Sequence, residues 1–145
     1  MSINAALLTE SIEIAVEREP VITKRFYEIL FERYPSVRPL FGRNAPERQQ
    51  QMLQDTIVAA LDHLNDGEWL EQTLGALGAK HVSYGVTDDM YPAVGECLVA
   101  ALSELCGDRW TAEHEASWVA AYGALSDLAI AGARKARGEV PAEVG

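Results

Sequence analysis

Apolar residues recur at intervals of three and four along almost the whole chain, and no stretch alternates convincingly as a strand would. Positions i, i+3 and i+4 fall on one face of an α-helix, whereas a half-buried strand needs a period of two. Leu8, Ile12 and Ala15 open the pattern. A second segment starts at Pro20, a residue suited to a first helical turn, and carries Ile22, Phe26, Ile29 and Leu30. Tyr34 to Arg43 holds two prolines and a glycine and predicts a bend. A third helix is expected from about Asn44, which with Glu47 resembles a capping box, and it lines up Leu53, Ile57, Ala60, Leu61 and Leu64. Asn65-Asp66-Gly67 interrupts the chain. Trp69 to Val82 predicts the next helix, with Leu70, Leu74, Leu77 and His81 on one face. After a turn over Tyr84 to Asp89, Tyr91, Val94, Leu98, Leu102 and Leu105 line a long helix that ends near Gly107. Thr111 can cap a last helix through Trp118, Tyr122, Leu125 and Leu128 to about Gly138.

About six helices of unequal length, with a corner after the second, predict an all-α crossed-helix sandwich rather than a regular four-helix bundle. A length of 145 residues suits a single domain over 1–145, with 139–145 expected as a flexible C-terminal tail. That length leaves no room for a flavin or nucleotide module, so chemistry needing one would borrow it from another protein.

Lys and Arg total 12 against 22 Asp and Glu, a formal net charge of −10. Such a surface repels phosphate backbones and anionic lipid heads, which argues against nucleic acid and membranes as partners. The basic group Arg134, Lys135 and Arg137 reads as a favourable last turn of a helix. Cys97 and Cys106 fall on one helix about 13 Å apart, too far for a disulfide. No signal sequence or apolar run long enough to span a bilayer is visible, so a cytoplasmic location is expected.

A lone histidine on an apolar helix face, such as His81, is ordinarily a satisfied core residue. Its company gives a second reading. Phe41 follows Pro39-Leu40 at the corner, where an aromatic could clamp a flat ligand. Tyr27 sits beside Phe26 on the second helix. Gln49 and Leu53, four apart, share a face of the third. A helical pocket with histidine on one wall and Tyr, Gln, Leu and Phe on the other suits a haem, with a small gas molecule on the far side. Gln49 is one of three consecutive glutamines, and Leu53 one turn later sets which of them enters the pocket. Tyr91 and Tyr122 read as core aromatics with one satisfied hydroxyl, or as site groups. Trp69, Trp110 and Trp118 read as packing residues, Trp110 as a hydrophobic staple before Thr111. His63 and His114 lie among polar neighbours and read as solvated.

Five segments in order carry a family resemblance: Arg25-Phe26-Tyr27-Glu28-Ile29-Leu30-Phe31, Pro35-Ser36-Val37-Arg38-Pro39-Leu40-Phe41, Lys80-His81-Val82-Ser83-Tyr84-Gly85-Val86, Tyr91-Pro92-Ala93-Val94-Gly95-Glu96 and Trp118-Val119-Ala120-Ala121-Tyr122-Gly123. From roughly Leu8 to Ala131 the chain resembles bacterial globins of the single-domain haemoglobin and flavohaemoglobin type. The resemblance implies a globin fold, a three-over-three helical sandwich around non-covalent haem b. It makes His81 the iron ligand, Phe41 the aromatic packed on the porphyrin, Tyr27 and Gln49 the distal hydrogen-bond donors, and Leu53 the apolar residue closing the gas pocket. Lys80, Tyr84, Val86, Tyr91 and Val94 are further expected haem contacts.

In flavohaemoglobins the tyrosine matched by Tyr91 bonds a glutamate near the proximal histidine. Here Ala133 stands at that position, and no glutamate lies between Glu115 and Glu139. The His81 N–H is therefore expected to reach a backbone carbonyl such as that of Leu77. A weaker acceptor makes the imidazole less electron-donating, which argues against peroxidase-like chemistry and leaves gas binding untouched. The implied function is reversible binding of O2, NO or CO, with tight O2 holding and nitric oxide dioxygenation that draws on an external flavin or NAD(P)H reductase. Oxygen storage or delivery, gas sensing and a haem-free regulatory module are the alternatives. A monomer or weak homodimer is expected.

Overall fold

A computed structural model describes residues 3–41 and 45–138. These form α1 (Ala5–Arg18), α2 (Ile22–Arg33), a 3₁₀ segment (Pro35–Phe41), α3 (Pro46–Asp62), α4 (Gly67–Ser83), α5 (Met90–Cys106), a short 3₁₀ turn (Gly107–Arg109) and α6 (Ala112–Ala136). No strand occurs among the described residues. The expected tail, 139–145, lies outside them.

The helix starts follow their capping chemistry, with several shifts from the sequence reading. Asn4 caps α1 by accepting from the Leu7 N–H. Pro20 precedes α2, whose N-cap is Val21. Asn44 lies outside the described residues. The cap of α3 is Ala45, which makes no side-chain bond, and Pro46 supplies the pre-set first turn. Helix α4 begins two residues before Trp69, because the Asp66 carboxylate accepts from the Trp69 N–H at 3.1 Å. The apparent interruption is thus a cap. Thr111 caps α6 as expected, and His114 completes the capping box.

Three side-chain readings are corrected here. His114 is 3% exposed rather than solvated: its Nδ1 accepts from the Thr111 N–H at 3.1 Å and its Nε2 meets Glu10 at 2.8 Å. A polar sequence neighbourhood says nothing about the partner α1 brings to the same place. His63 stacks on Trp69 with ring centroids 3.8 Å apart and donates from Nδ1 to the Ala59 carbonyl. Trp110 stacks on His114 instead of stapling the next turn.

The main core gathers Leu8, Phe26, Leu30, Leu98, Leu102 and Trp118. A smaller cluster of Ala60, Leu70 and Leu74 joins α3 to α4. Burial of these side chains is the chief driving force, at about 1.5–3 kcal/mol for each large one. Polar ties set the orientations. Arg25 of α2 grips Glu104 of α5, and Arg33 and Tyr34 both reach Glu96 of α5. The Thr23 hydroxyl donates to the Gln50 carbonyl at 2.6 Å, and Gln54 donates to the Pro20 carbonyl. The Trp118 indole donates to Ser11 at 2.7 Å. Cys97 and Cys106 are both buried, unpaired and on α5.

Helices α4 and α6 share the most extensive contact, and their backbones meet. A Cβ added at Gly78 would lie 1.8 Å from the Ala129 carbonyl oxygen, and one at Gly132 would lie 2.1 Å from that of Gly75. Only glycine permits this approach. His81 stands one turn beyond Gly78 on α4, so this contact fixes where that histidine lies.

Candidate functional site

Two groups of side chains, one on α2, α3 and the corner and one on α4 and α5, make up the candidate site. Tyr27, on the inner face of α2, is 7% exposed and its ring lies amid aromatics. Phe26 meets it edge-on at 4.8 Å, Phe31 at 5.7 Å and Phe41 edge-on at 5.4 Å between centroids. Phe41 comes from the end of the 3₁₀ segment, so the corner read from the prolines is what carries that ring inward. Phe31, in turn, contacts Phe41 at 5.5 Å and lies under the Arg38 guanidinium.

The Gln49 amide donates to the Tyr27 hydroxyl oxygen at 3.2 Å. The neighbouring Thr23–Gln50 bond holds the backbone of α3 against α2 and thereby selects Gln49, among three glutamines, to face Tyr27. Gln51 turns away to Asp55. Burial pushes the Tyr27 phenol above its ordinary range, partly opposed by the bond from Gln49, so the hydroxyl stays protonated. Because Tyr27 accepts from Gln49, its own O–H is left to donate elsewhere. Leu53, one turn along α3, is half-buried and packs on the core beside this group.

On the other side, the His81 Nδ1–H donates to the Leu77 carbonyl at 2.7 Å. That bond fixes the ring tautomer and leaves the lone pair on Nε2. Tyr84 and Tyr91 flank the ring, with centroids at 6.2 and 6.4 Å. The turn after α4 folds back on His81: the Tyr84 and Val86 N–H groups both donate to the His81 carbonyl, and Gly85 takes φ +89° to allow it. Val86 and Val94 are half-buried, Lys80 is exposed, and Ala133 is buried.

Tyr91 departs from the reading of a core aromatic with a satisfied hydroxyl. Its hydroxyl oxygen is buried without a hydrogen-bond partner. Tyr122 does satisfy its own, donating to the Tyr91 carbonyl at 2.6 Å while its ring packs flush against Gly95. Tyr122 thereby uses the Tyr91 backbone and leaves the Tyr91 phenol alone.

Some contributors were not singled out from the sequence. Phe31 completes the aromatic cage around Tyr27, and an extra aromatic four residues on, at helical spacing, was its available signal. The glycines at 75, 78 and 132 set the position of α4, and the three-residue spacing of Gly75 and Gly78 was the hint. Asp88 binds Arg134 and Arg137 across 46 and 49 residues, for which no local signal exists.

The Globin family's sequence model matches residues 24–128. The chain belongs to the globin family. It is 35% identical over 127 residues to the flavohemoprotein of Bordetella pertussis, an alignment covering 86% of this chain and 32% of that protein. The chain thus spans about a third of the length of the curated relatives it matches. Among solved structures, a bacterial globin from Campylobacter jejuni matches with a TM-score of 0.78 and 25% identity, over 93% of this chain and 97% of that one. An engineered carbene transferase from Rhodothermus marinus, provisionally described as a nitric oxide dioxygenase, matches with a TM-score of 0.81 and 26% identity, over 94% and 97%. The globin fold expected from the five sequence segments is the fold observed. No helix among the described residues of this globin is long and apolar enough to cross a membrane.

Proposed function

We propose that this globin holds a non-covalent haem b between the Tyr27 and His81 groups and uses it to bind O2, with nitric oxide dioxygenation as its chemistry. The observation that carries the reading is the locked His81 ring, whose Nε2 lone pair is set free by the Nδ1–Leu77 bond. The residues fit the group. Among the described residues no three His, Cys, Asp or Glu side chains gather to hold a metal by themselves, so a metal at His81 would have to bring its other ligands with it. The half-buried apolar surfaces of Phe31, Phe41, Leu53, Val86 and Val94 would be covered by a flat hydrophobic ring. The covalent alternative lacks its Cys-x-x-Cys-His attachment motif.

Haem, when bound, supplies an iron centre for O2, NO or CO. His81 would hold that iron through Nε2, and the backbone carbonyl that accepts from Nδ1–H, a weaker acceptor than a carboxylate, would leave the imidazole only moderately donating. Phe41 and Leu53 exclude water and bound the space left for a small ligand. The Tyr27 O–H, oriented by Gln49, would donate to a ligand that gathers negative charge. Hydrogen bonds to charged acceptors are worth about 1.5–3 kcal/mol, so slow O2 release follows. Lys80, Tyr84, Tyr91, Val86 and Val94 would complete the cofactor's surroundings. Dioxygenation combines NO and O2 with one electron to give nitrate, and that electron would come from an external flavin or NAD(P)H reductase. The names of the relatives support this assignment, and the net charge of −10 supports small-molecule rather than nucleic-acid or membrane partners. We place the protein in the cytoplasm as a monomer or weak homodimer.

An absorbance spectrum and a turnover assay test the reading together. Purified protein without a Soret band even after haem addition would exclude it. Repeated NO consumption with added reductase, against a single event without it, is the expected result. One event in both cases would leave storage or delivery of O2.

A further inference from the structure

The turn over residues 84–89 is tied to the far end of α6 by one carboxylate. Asp88 Oδ2 accepts from Arg134 Nε at 3.2 Å, and Asp88 Oδ1 accepts from Arg137 Nη2 at 3.0 Å. Each oxygen is thus taken by a different guanidinium, an arrangement that fixes the carboxylate against two points of α6 at once. Arg134 lies in the last turn of α6 and Arg137 is its C-cap. The backbone bonds of the turn are short-range: the Tyr84 and Val86 N–H groups to the His81 carbonyl, Gly85 N–H to that of Val82, Met90 N–H to that of Thr87, and Tyr91 N–H to that of Asp88. Its two flanking tyrosines are the ones that bracket the His81 ring. One of them, Tyr91, has its hydroxyl sealed from water with no partner, and it lies within the electrostatic reach of Asp88 and Arg137.

We propose that Asp88, gripped by Arg134 and Arg137, is a positioning residue for His81: the clamp closes the 84–89 turn over the histidine side of the site and keeps water from the His81–Leu77 bond and the Tyr91 hydroxyl. The backbone contact at Gly75, Gly78, Ala129 and Gly132 already anchors α4 to α6 ahead of the histidine. The clamp anchors the chain to α6 again behind it. His81 is then held between two fixed points on one helix, and the turn cannot lift without breaking both ion pairs. The pairs are partly exposed, with side chains 28–57% accessible, so dissolved salt weakens them.

The inference rests on haem binding at His81, and its test separates the two claims. In Asp88→Asn, hydrogen exchange at the Gly85 and Val86 amides is expected to quicken about three- to tenfold, read on the purified protein whether or not it carries haem. In the haem-loaded protein, transfer of haem to excess apomyoglobin should quicken by about the same factor, and Asp88→Glu should restore it. High salt should speed haem loss from the natural sequence and leave Asp88→Asn unchanged, a signature that general loosening of the fold would not give. If Asp88→Asn does not fold, Arg137→Gln and Arg134→Gln are each expected to show a smaller acceleration of amide exchange. Unchanged exchange in a folded Asp88→Asn, or in both arginine variants, overturns the proposal. Haem binding unaltered by His81→Ala would instead overturn the haem reading and leave the exchange result standing.

Discussion

The Gln49 amide donates to the Tyr27 hydroxyl oxygen at 3.2 Å, so the phenol accepts from α3 and keeps its own proton for another acceptor. If that proton serves a bound gas, Tyr27→Phe removes a donor from a dry pocket. O2 dissociation should then be about 10- to 100-fold faster, at ~1.4 kcal/mol per tenfold. Gln49→Leu leaves the phenol present but unoriented and should give a smaller increase. Stopped-flow displacement of O2 by CO measures both, and a Tyr27→Phe rate equal to the natural one would remove Tyr27 from the donor role.

The contact between α4 and α6 predicts opposite outcomes for two glycines. Gly78→Ala places a methyl group against the Ala129 carbonyl, and the rigid backbone cannot step aside. A loss of about 1–3 kcal/mol or more is expected, with weaker His81 placement as its consequence. Gly123→Ala meets nothing within 4 Å on α6 and should stabilise by up to about 1 kcal/mol, the ordinary helix preference for alanine. Thermal melts followed by circular dichroism distinguish them. A neutral Gly78→Ala would mean the helices lie further apart.

Stability should fall steeply on the alkaline side. Burial raises the phenols of Tyr122, Tyr27 and Tyr91 above their ordinary value of 10.0. A raised folded-state value means the neutral form is favoured by folding. That stability is fully present below about pH 10, the unfolded value, and is lost as pH rises towards the folded ones. Phenolate absorbance from these three should therefore appear together with unfolding above about pH 10. Their ionisation in a still-folded chain would contradict the burial.

The acidic side has its own limb. Hydrogen bonds from Arg25 hold Glu104 below the usual carboxylate value, and Tyr34 and Arg33 do the same for Glu96. Depressed values contribute stability that is present above the unfolded value of about 4.5 and is lost as pH falls through the folded ones. Glu104→Gln should flatten the melting temperature's dependence on pH below about 5, since it removes one of the titrating groups.

His114 is expected as the Nε2–H tautomer, because its Nδ1 accepts from the Thr111 N–H while Nε2 faces Glu10. Nitrogen chemical shifts of the ring report this directly. Thr111→Ala removes half of the capping box and should cost about 1 kcal/mol. An Nδ1–H tautomer would dismantle the box as described.

Much of this was legible along the chain. His81 falls on the apolar face because Leu70, Leu74 and Leu77 precede it at helical spacing, and the Leu77 carbonyl was the expected acceptor of its N–H. A residue four back on the same helix is always within reach, so such a bond is a local fact. The Thr111 cap and the corner before Phe41 were legible for the same reason. His114 was misread because its partner, Glu10, lies 104 residues away. That the Tyr91 hydroxyl is buried without a partner was not legible, because a sequence shows a hydroxyl but not whether anything faces it.

By itself, then, the sequence determined the helices, the Thr111 cap and the residue types available to the site, since each depends on neighbours within a few positions. Tertiary structure alone decided which glutamine meets Tyr27, how closely α4 approaches α6, and which carboxylate ties the turn behind His81. These depend on backbones brought together from 22 to 57 residues apart, and packing, unlike helical periodicity, is a property of the whole chain at once.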